Sequence, residues 1–338
     1  AFSIGGEFRI SNIKQIGTSS ITITFFQACL ATLLVDAALL ACGFPAPLSL
    51  TLGAIAAATA PAATLMVVRQ YHAKGEVTST LLPVVAMDDA VGLMLFSISL
   101  PISQALASNA TLTVTSMLLQ PLLEIVLSLA VGAGIGLLIA LAMRFFHSKV
   151  NRISVAVAAV LLGSALASIW NLSSLLLCMA IGAVLVNLRN DADELLEITD
   201  AWTPPLFMLF FVLSGAELDL AVVPTVGLLG VVYMVARSLG KYFGSFLGAT
   251  IAKSSPNIRK YLGLTLLPQA GVAIGMAQVA LNALPEYGTQ IQAVVLTATL
   301  IYELIGPVIT KLALTAAGEI QDSKKSKAKT EQSAGGAK

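Results

Sequence analysis

A chain of 338 residues that is 57% apolar and only 11% charged is not an ordinary soluble domain, in which about a quarter of residues carry charge. Its net charge of +1 points to no nucleic-acid partner. Composition instead assigns an all-α polytopic membrane protein whose partner is the lipid bilayer.

In chain order, apolar runs able to span a bilayer cover about 1–10, 18–42, 47–71, 79–104, 117–146, 152–170, 172–189, 203–218, 226–252, 259–283 and 288–314. The first is cut short. The chain begins at Ala1 inside an apolar stretch, so an N-terminally truncated protein with one or two further helices upstream is expected. The last is followed by "QDSKKSKAKTEQSAGGAK", which is polar, basic and low in complexity. Residues 317–338 are expected to be a disordered cytoplasmic tail, with 1–316 forming the membrane domain. Cys29, Cys42 and Cys178 all fall in apolar runs and read as small buried hydrophobes rather than a disulfide or metal framework.

Orientation follows from the loops. Lys and Arg appear after the first, third, fifth, seventh, ninth and last runs, and the intervening loops carry none. The positive-inside rule then places these loops and the C-terminus in the cytoplasm. "NLRNDADELLEITD" has one Arg among many acids and is kept inside as a loop. His72 and His147 fall in cytoplasmic loops.

The chain also repeats itself. Gly5 and Gly215, Glu7 and Glu217, Gly17 and Gly227, and Gly53 and Gly263 all share one offset. Repeats of about 1–105 and 211–315 are expected. They start seven runs apart, an odd number, so they run in opposite directions through the membrane. Such inverted repeats, with broken helices meeting near the midplane, mark transporters. Each copy has a candidate break: "ATAPAAT" around Thr59 and Pro61, and "LLPQAGVAIG" around Pro268 and Gln269.

In "PVVAMDDAVGLML" two carboxylates, Asp88 and Asp89, sit in an apolar helix with Lys74 as the nearest positive charge in sequence. Intramembrane acids mark ion or proton pathways. Neighbours on a helix point about 100° apart, so each needs its own partner. The ninth run, "YMVARSLGKYFGSFLGA", offers Arg237 and Lys241, four apart on one face. Lys241 is the more central, among glycines that allow close helix approach, and lysine, unlike arginine, can give up its proton. Asp36 and Glu303 could support the core. Glu124 lies near a helix start, and Glu7 and Glu217 end repeat-matched helices.

The run "ATAPAATLMVVRQYHAKGEVTSTLLPVVAMDDAVGL", the lysine helix and "LPQAGVAIGMA" resemble the bacterial sodium/proton antiporters of the monovalent cation:proton antiporter superfamily, on the branch that includes the Kef-type exchangers. The resemblance spans nearly the whole chain. It implies an inverted-repeat antiporter fold with two crossing broken helices, a dimerisation domain and a six-helix ion-transport core. A homodimer in the bacterial inner membrane is implied with it, and so is a transporter rather than an enzyme, with no cofactor. By the same resemblance Asp88 pairs with Lys241, Asp89 carries Na+ and the proton in alternation, and Thr59 lies at the break.

The expected activity is exchange of Na+ for H+ by alternating access. Desolvation disfavours a charged carboxylate, so proton and cation compete at one site. The expected Na+ ligands are oxygens of Asp89, Asp88, Thr59, backbone carbonyls and water. Pro61, Arg237, Gln269, Glu303 and Asp36 are candidate supporting residues. The same resemblance associates two adjacent acids and a membrane lysine with electrogenic exchange, two protons for one cation. Alternatives are K+/H+ exchange of the Kef type, with Li+ a further candidate ion, or sodium-coupled symport of an organic anion on a related fold. An intramembrane aspartyl protease would need its acids on facing helices, and a channel would need a filter motif that the chain lacks.

Overall fold

The computed structural model describes residues 1–6, 8–11, 17–108, 120–146, 148–170, 172–189, 191–202, 204–216 and 227–320. Glu7, Glu217, His147 and the tail beyond Ile320 lie outside the described residues. All regular structure among the described residues is helical. The helices are α1 (Phe2–Gly6), α2 (Thr18–Ala41), α3 (Ala46–Ala56), α4 (Pro61–Gln70), α5 (Glu76–Ala107), α6 (Gln120–Ala142), α7 (Lys149–Trp170) and α8 (Ser174–Leu188). There follow α9 (Ala192–Trp202), α10 (Pro204–Ala216), α11 (Gly227–Ile251), α12 (Pro256–Tyr261), α13 (Gly271–Ala283) and α14 (Gly288–Ala316). A 3-10 turn, Leu262–Leu266, extends α12.

Among the described residues, α2, α5, α6, α7 and α14 are long and apolar enough to cross a membrane, and the bent pair formed by α12 with its 3-10 turn and α13 makes a sixth span. α11 is long enough, but Arg237 and Lys241 lower its hydropathy.

The bounds of α2 to α5 recur in α11 to α14 at the offset of 210 residues read from the glycines. α3 spans 46–56 and the second copy spans 256–266, while α4 begins at 61 and α13 at 271. Both expected breaks are present, at 57–60 and 267–270, and the second bends its pair by 50°. Pro61 opens α4 at a position where its missing N–H is harmless. It also drives Ala60 into extended backbone, φ −82 and ψ 108. The N–H of Ala60 thereby turns away from its own helix and donates to the Pro268 carbonyl at 2.9 Å. That bond stitches one break to the other.

Close approach between the copies depends on glycine. A Cβ at Gly240 would meet Ala31 Cα at 2.5 Å, at Gly244 Gln27 Cα at 2.6 Å, and at Gly248 Ile23 Cα at 2.8 Å. This stripe, repeating every four residues, lays α11 against α2 backbone to backbone, as small residues do between membrane helices. The repeat-paired Gly53 and Gly263 do the same for the first halves of the broken helices, against Thr32 and Asp36 on α2 and Tyr242 on α11.

A core of Leu52, Ile55, Phe96, Tyr233, Ile274 and Val294, among others, joins the repeat helices. A separate core of Ile135, Met143, Leu177, Ile181 and Leu195 joins α6 to α9. Glu319, just beyond α14, reaches the start of α5. One of its oxygens accepts from Val77 N at 2.6 Å, and the other from Thr78 N at 2.8 Å and Thr78 Oγ1 at 2.7 Å. It fills the orphan N–H groups of that helix with a carboxylate where the helix dipole favours one.

Two sequence expectations are corrected here. The segment kept as an acidic loop forms α9 over 192–202. Ala192 and Leu195 are fully buried on one face, and Asp193 and Glu194 occupy the first turn, where acids suit the helix dipole. Arg152 of α7 holds it, bonding Asp191 at 2.8 Å and Glu194 at 2.9 Å. The hydrogen-bonded Arg189 guanidinium also holds the Asp191 carboxyl below its ordinary range. Cys42, expected to be buried, is exposed, because it caps the end of α2.

Candidate functional site

The two breaks leave carbonyls without helical partners, and burial makes each one costly unless paired. Every carbonyl from Ile55 to Ala58 finds a side chain. Gln269 donates to Ile55 O at 3.2 Å, and Arg237 to Ala56 O at 3.1 Å and Ala58 O at 2.7 Å. Lys241 donates to Ala57 O. In the second break, Thr64 Oγ1 donates to Thr265 O at 3.1 Å, Thr59 Oγ1 to Leu266 O at 3.3 Å and Arg237 to Leu267 O at 2.7 Å. Arg237 thus binds carbonyls of both breaks and stacks on the Tyr302 ring at 4.5 Å. Two half-helix C-termini turn their partial negative charge toward this pair of cations on α11.

The acids are treated unequally. Asp88 is fully buried, and so is Lys241. Lys241 Nζ lies 2.8 Å from Asp88 Oδ2 and 2.8 Å from Thr59 Oγ1. Gln27 Nε2 donates to the other Asp88 oxygen. Asp88 therefore has both oxygens engaged. Asp89 is also buried, at 6% exposure, but its Oδ1 accepts no hydrogen bond among the described residues. Thr59 at the first break approaches it through the backbone.

The structure brings Asp88, Asp89, Thr59 and Lys241 together. Pro61 starts the helix beside them, and Arg237 meets carbonyls rather than an acid. Gln269 does not face the acids; it exchanges hydrogen bonds with the Tyr233 hydroxyl, its amide nitrogen donating at 2.8 Å. Asp36 stands apart, its Oδ1 buried without a partner among the described residues, beside Gly53. Glu303 does not join the site. It is exposed on a face of α14 shared with Leu300, Leu304 and Val308.

Gln27 and Tyr233 are the site residues that sequence reasoning missed. A signal for Gln27 existed: at the repeat offset it is the counterpart of Arg237, so each copy places a polar donor at the same helical position.

Crossing broken helices, buried cations that satisfy their carbonyls and, at the crossing, an acid with an oxygen unpartnered among the described residues are the features of a multi-spanning secondary transporter. The chain belongs to the sodium/hydrogen exchanger transmembrane family, whose model matches residues 2–316. Its fold is shared with the sodium proton antiporter MjNhaP1 from Methanocaldococcus jannaschii. One structure of that protein, at pH 8, is 21% identical with a TM-score of 0.66, covering 93% of this chain and 83% of that one. Another, from electron microscopy, is 19% identical with a TM-score of 0.70, covering 95% and 84%. No curated protein sequence matches the chain. The protein is thus a multi-pass membrane transporter, not an enzyme, and its setting is the lipid bilayer.

Proposed function

We propose that the chain exchanges Na+ for H+ at Asp89 by alternating access, with Asp88 and Lys241 as the adjoining charge pair. The observation that carries this reading is the inequality of the two acids. Asp88 is saturated by Lys241 and Gln27, whereas Asp89 keeps a buried oxygen without a partner among the described residues. A buried carboxylate oxygen of this kind is favourable only when a proton or a cation joins it. The two ligands exclude each other, and that exclusion is the coupling. Asp89 and the Thr59 hydroxyl supply hard oxygen ligands suited to Na+, and Asp88 can lend an oxygen if its pair with Lys241 loosens.

Only an occupied, neutralised site crosses between faces cheaply, so either gradient drives the other ion. The exchange is electrogenic if Lys241 releases a proton when Asp88 turns toward the cation. A homodimer in the bacterial inner membrane, with a cytoplasmic C-terminus, belongs to the same proposal and is supported by the family resemblance and the basic loops. Symport of an organic anion is disfavoured, because among the described residues both cations at the crossing are already engaged.

The test is dye-monitored proton flux in proteoliposomes with Na+, Li+ and K+ added in turn. Asp89→Asn keeps the shape and removes the shared charge. Exchange should vanish while the protein still inserts and elutes as the unsubstituted form does. Near-normal Na+-driven proton flux in Asp89→Asn would show that the ion binds elsewhere.

A further inference from the structure

A cavity of about 480 Å³ opens at the end of the molecule opposite Lys74 and Lys253. Its walls come from both bodies of the fold: α5 and the end of α13 on one side, α6, the end of α7 and the start of α8 on the other. Its lining is polar for a membrane protein and includes Ser97, Gln104, Ser173 and Asn282. One lining residue is ionisable, Glu124 on α6. Glu124 is half-buried, and its carboxylate makes no hydrogen bond or ion pair among the described residues. Arg152, Arg189 and Lys149 stand at the other end of α7 and α8. The cavity therefore holds one carboxyl group without a partner among the described residues, set among neutral oxygen and amide groups.

Its floor lies on the helix that carries the candidate ion site. Phe96, Ser97, Leu100 and Gln104 climb the α5 face above Asp89. At 1.5 Å per residue, Ser97 lies about 12 Å along the axis from Asp89. Leu93 and Phe96, both almost fully buried, close the path between them. Ser97 and Ser173 hydrogen-bond across the boundary of the two bodies at 3.1 Å.

We infer that this cavity is a second cation site, an outer vestibule in which Glu124, Gln104, Asn282 and the serine hydroxyls hold a partly hydrated monovalent cation before it passes the Leu93–Phe96 seal to Asp89. The inference rests on the proposed exchange at Asp89. A hard cation that keeps part of its water shell is matched by one carboxylate and several neutral oxygens, and the cation and the ionised form of that carboxyl stabilise each other in a low-dielectric recess. The site is sided. It serves cations presented at this face and none presented at the Lys74 end.

Sidedness supplies the test. Right-side-out and inside-out membrane vesicles present Na+ to opposite faces of the full chain. Glu124→Gln should raise the KM for Na+ about tenfold at the cavity face, the scale of one charge-assisted contact, and leave the KM at the opposite face as in the unsubstituted protein. Glu124→Asp, which keeps the charge, should restore most of the difference. If Glu124→Gln does not reach the membrane, Asn282→Ala on the facing helix should show the same one-sided rise at about threefold. An unchanged KM at the cavity face, or an equal rise at both faces, overturns the inference. Unsubstituted protein without exchange would overturn the function at Asp89 and this site with it, whereas a normal wild type with a symmetric variant overturns the vestibule alone.

Discussion

Lys241 carries more than one task. It closes the Ala57 carbonyl, holds the Thr59 hydroxyl and neutralises Asp88. If it is also the second proton carrier, membrane voltage should drive exchange. A valinomycin-set potassium potential should therefore change the Na+-driven proton flux of the unsubstituted protein. In Lys241→Gln that voltage response should be lost, and the protein should also lose stability by about 3–5 kcal/mol, because Asp88 is left as an unpaired buried charge. An active Lys241→Gln variant with unchanged voltage dependence would remove this lysine from the cycle. Wild-type exchange indifferent to voltage would remove the two-proton cycle. Arg237 cannot take this part, since it stays charged and its donors are spent on carbonyls. Asp88, Asp89 and Lys241 were legible in the sequence because charges in apolar runs stand out. The work of Arg237 was not, since its partners are backbone carbonyls exposed by two breaks far apart in sequence. Tyr233 was hidden for a related reason: a neutral polar residue in a membrane helix gives no sign by itself of which way it faces, and for Gln27 only the repeat offset to Arg237 supplies one.

Helix α11 is positioned by what it lacks. Gly240, Gly244 and Gly248 let its backbone touch α2, and that contact sets Lys241 at the height of Asp88. A side chain at Gly244 has no space to enter, since its neighbours there are the backbone atoms of Phe26 and Gln27. Gly244→Val should lower the thermal unfolding midpoint in detergent by an amount equivalent to about 1–3 kcal/mol, the usual range for overpacking. It should also weaken exchange by displacing Lys241. Gly134→Ala, where an added Cβ meets nothing within 4 Å, is the control and should leave both unchanged. Equal unfolding midpoints for Gly244→Val and the unsubstituted protein would show that the glycine stripe does not set the packing. The breaks themselves were readable, because Pro61 and the pair Pro268 and Gly271 interrupt apolar runs at one offset. Two features at this scale were not. α9 was read as a loop because its four acids interrupt the apolar pattern, although Ala192 and Leu195 share a face. Glu319 was read as the edge of a tail, and its role as the cap of α5 depends on a partner some 240 residues away in sequence.

At the scale of the whole molecule, the repeat geometry fixes which ends lie together. Val67, Val77, Ile258, Leu262 and Leu314 form one cluster, so the turn after α4, the start of α5, the turn after α11 and the end of α14 share one end of the protein. Lys74 N donates to Glu319 O at 3.1 Å within that end. At the other end, Gln104 donates to Ala283 O at 3.1 Å. In the first copy the chain reaches the Lys74 end after its broken helix, and in the second it reaches that end before it. That reversal is what inverted orientation requires. Basic residues crowd the Lys74 end, which the positive-inside rule assigns to the cytoplasm. Single cysteines placed at Lys74 and Lys253, in a background lacking Cys29, Cys42 and Cys178, should both be shielded from an impermeant thiol reagent added to intact cells. A cysteine at Ser108, beyond the far end of α5, should react. Labelling of Lys74→Cys or Lys253→Cys alone from outside would break the symmetry and sink the inverted-repeat arrangement. Labelling of both, with Ser108→Cys protected, would keep the repeats but turn the whole molecule over in the membrane, placing the Glu124 cavity on the cytoplasmic face.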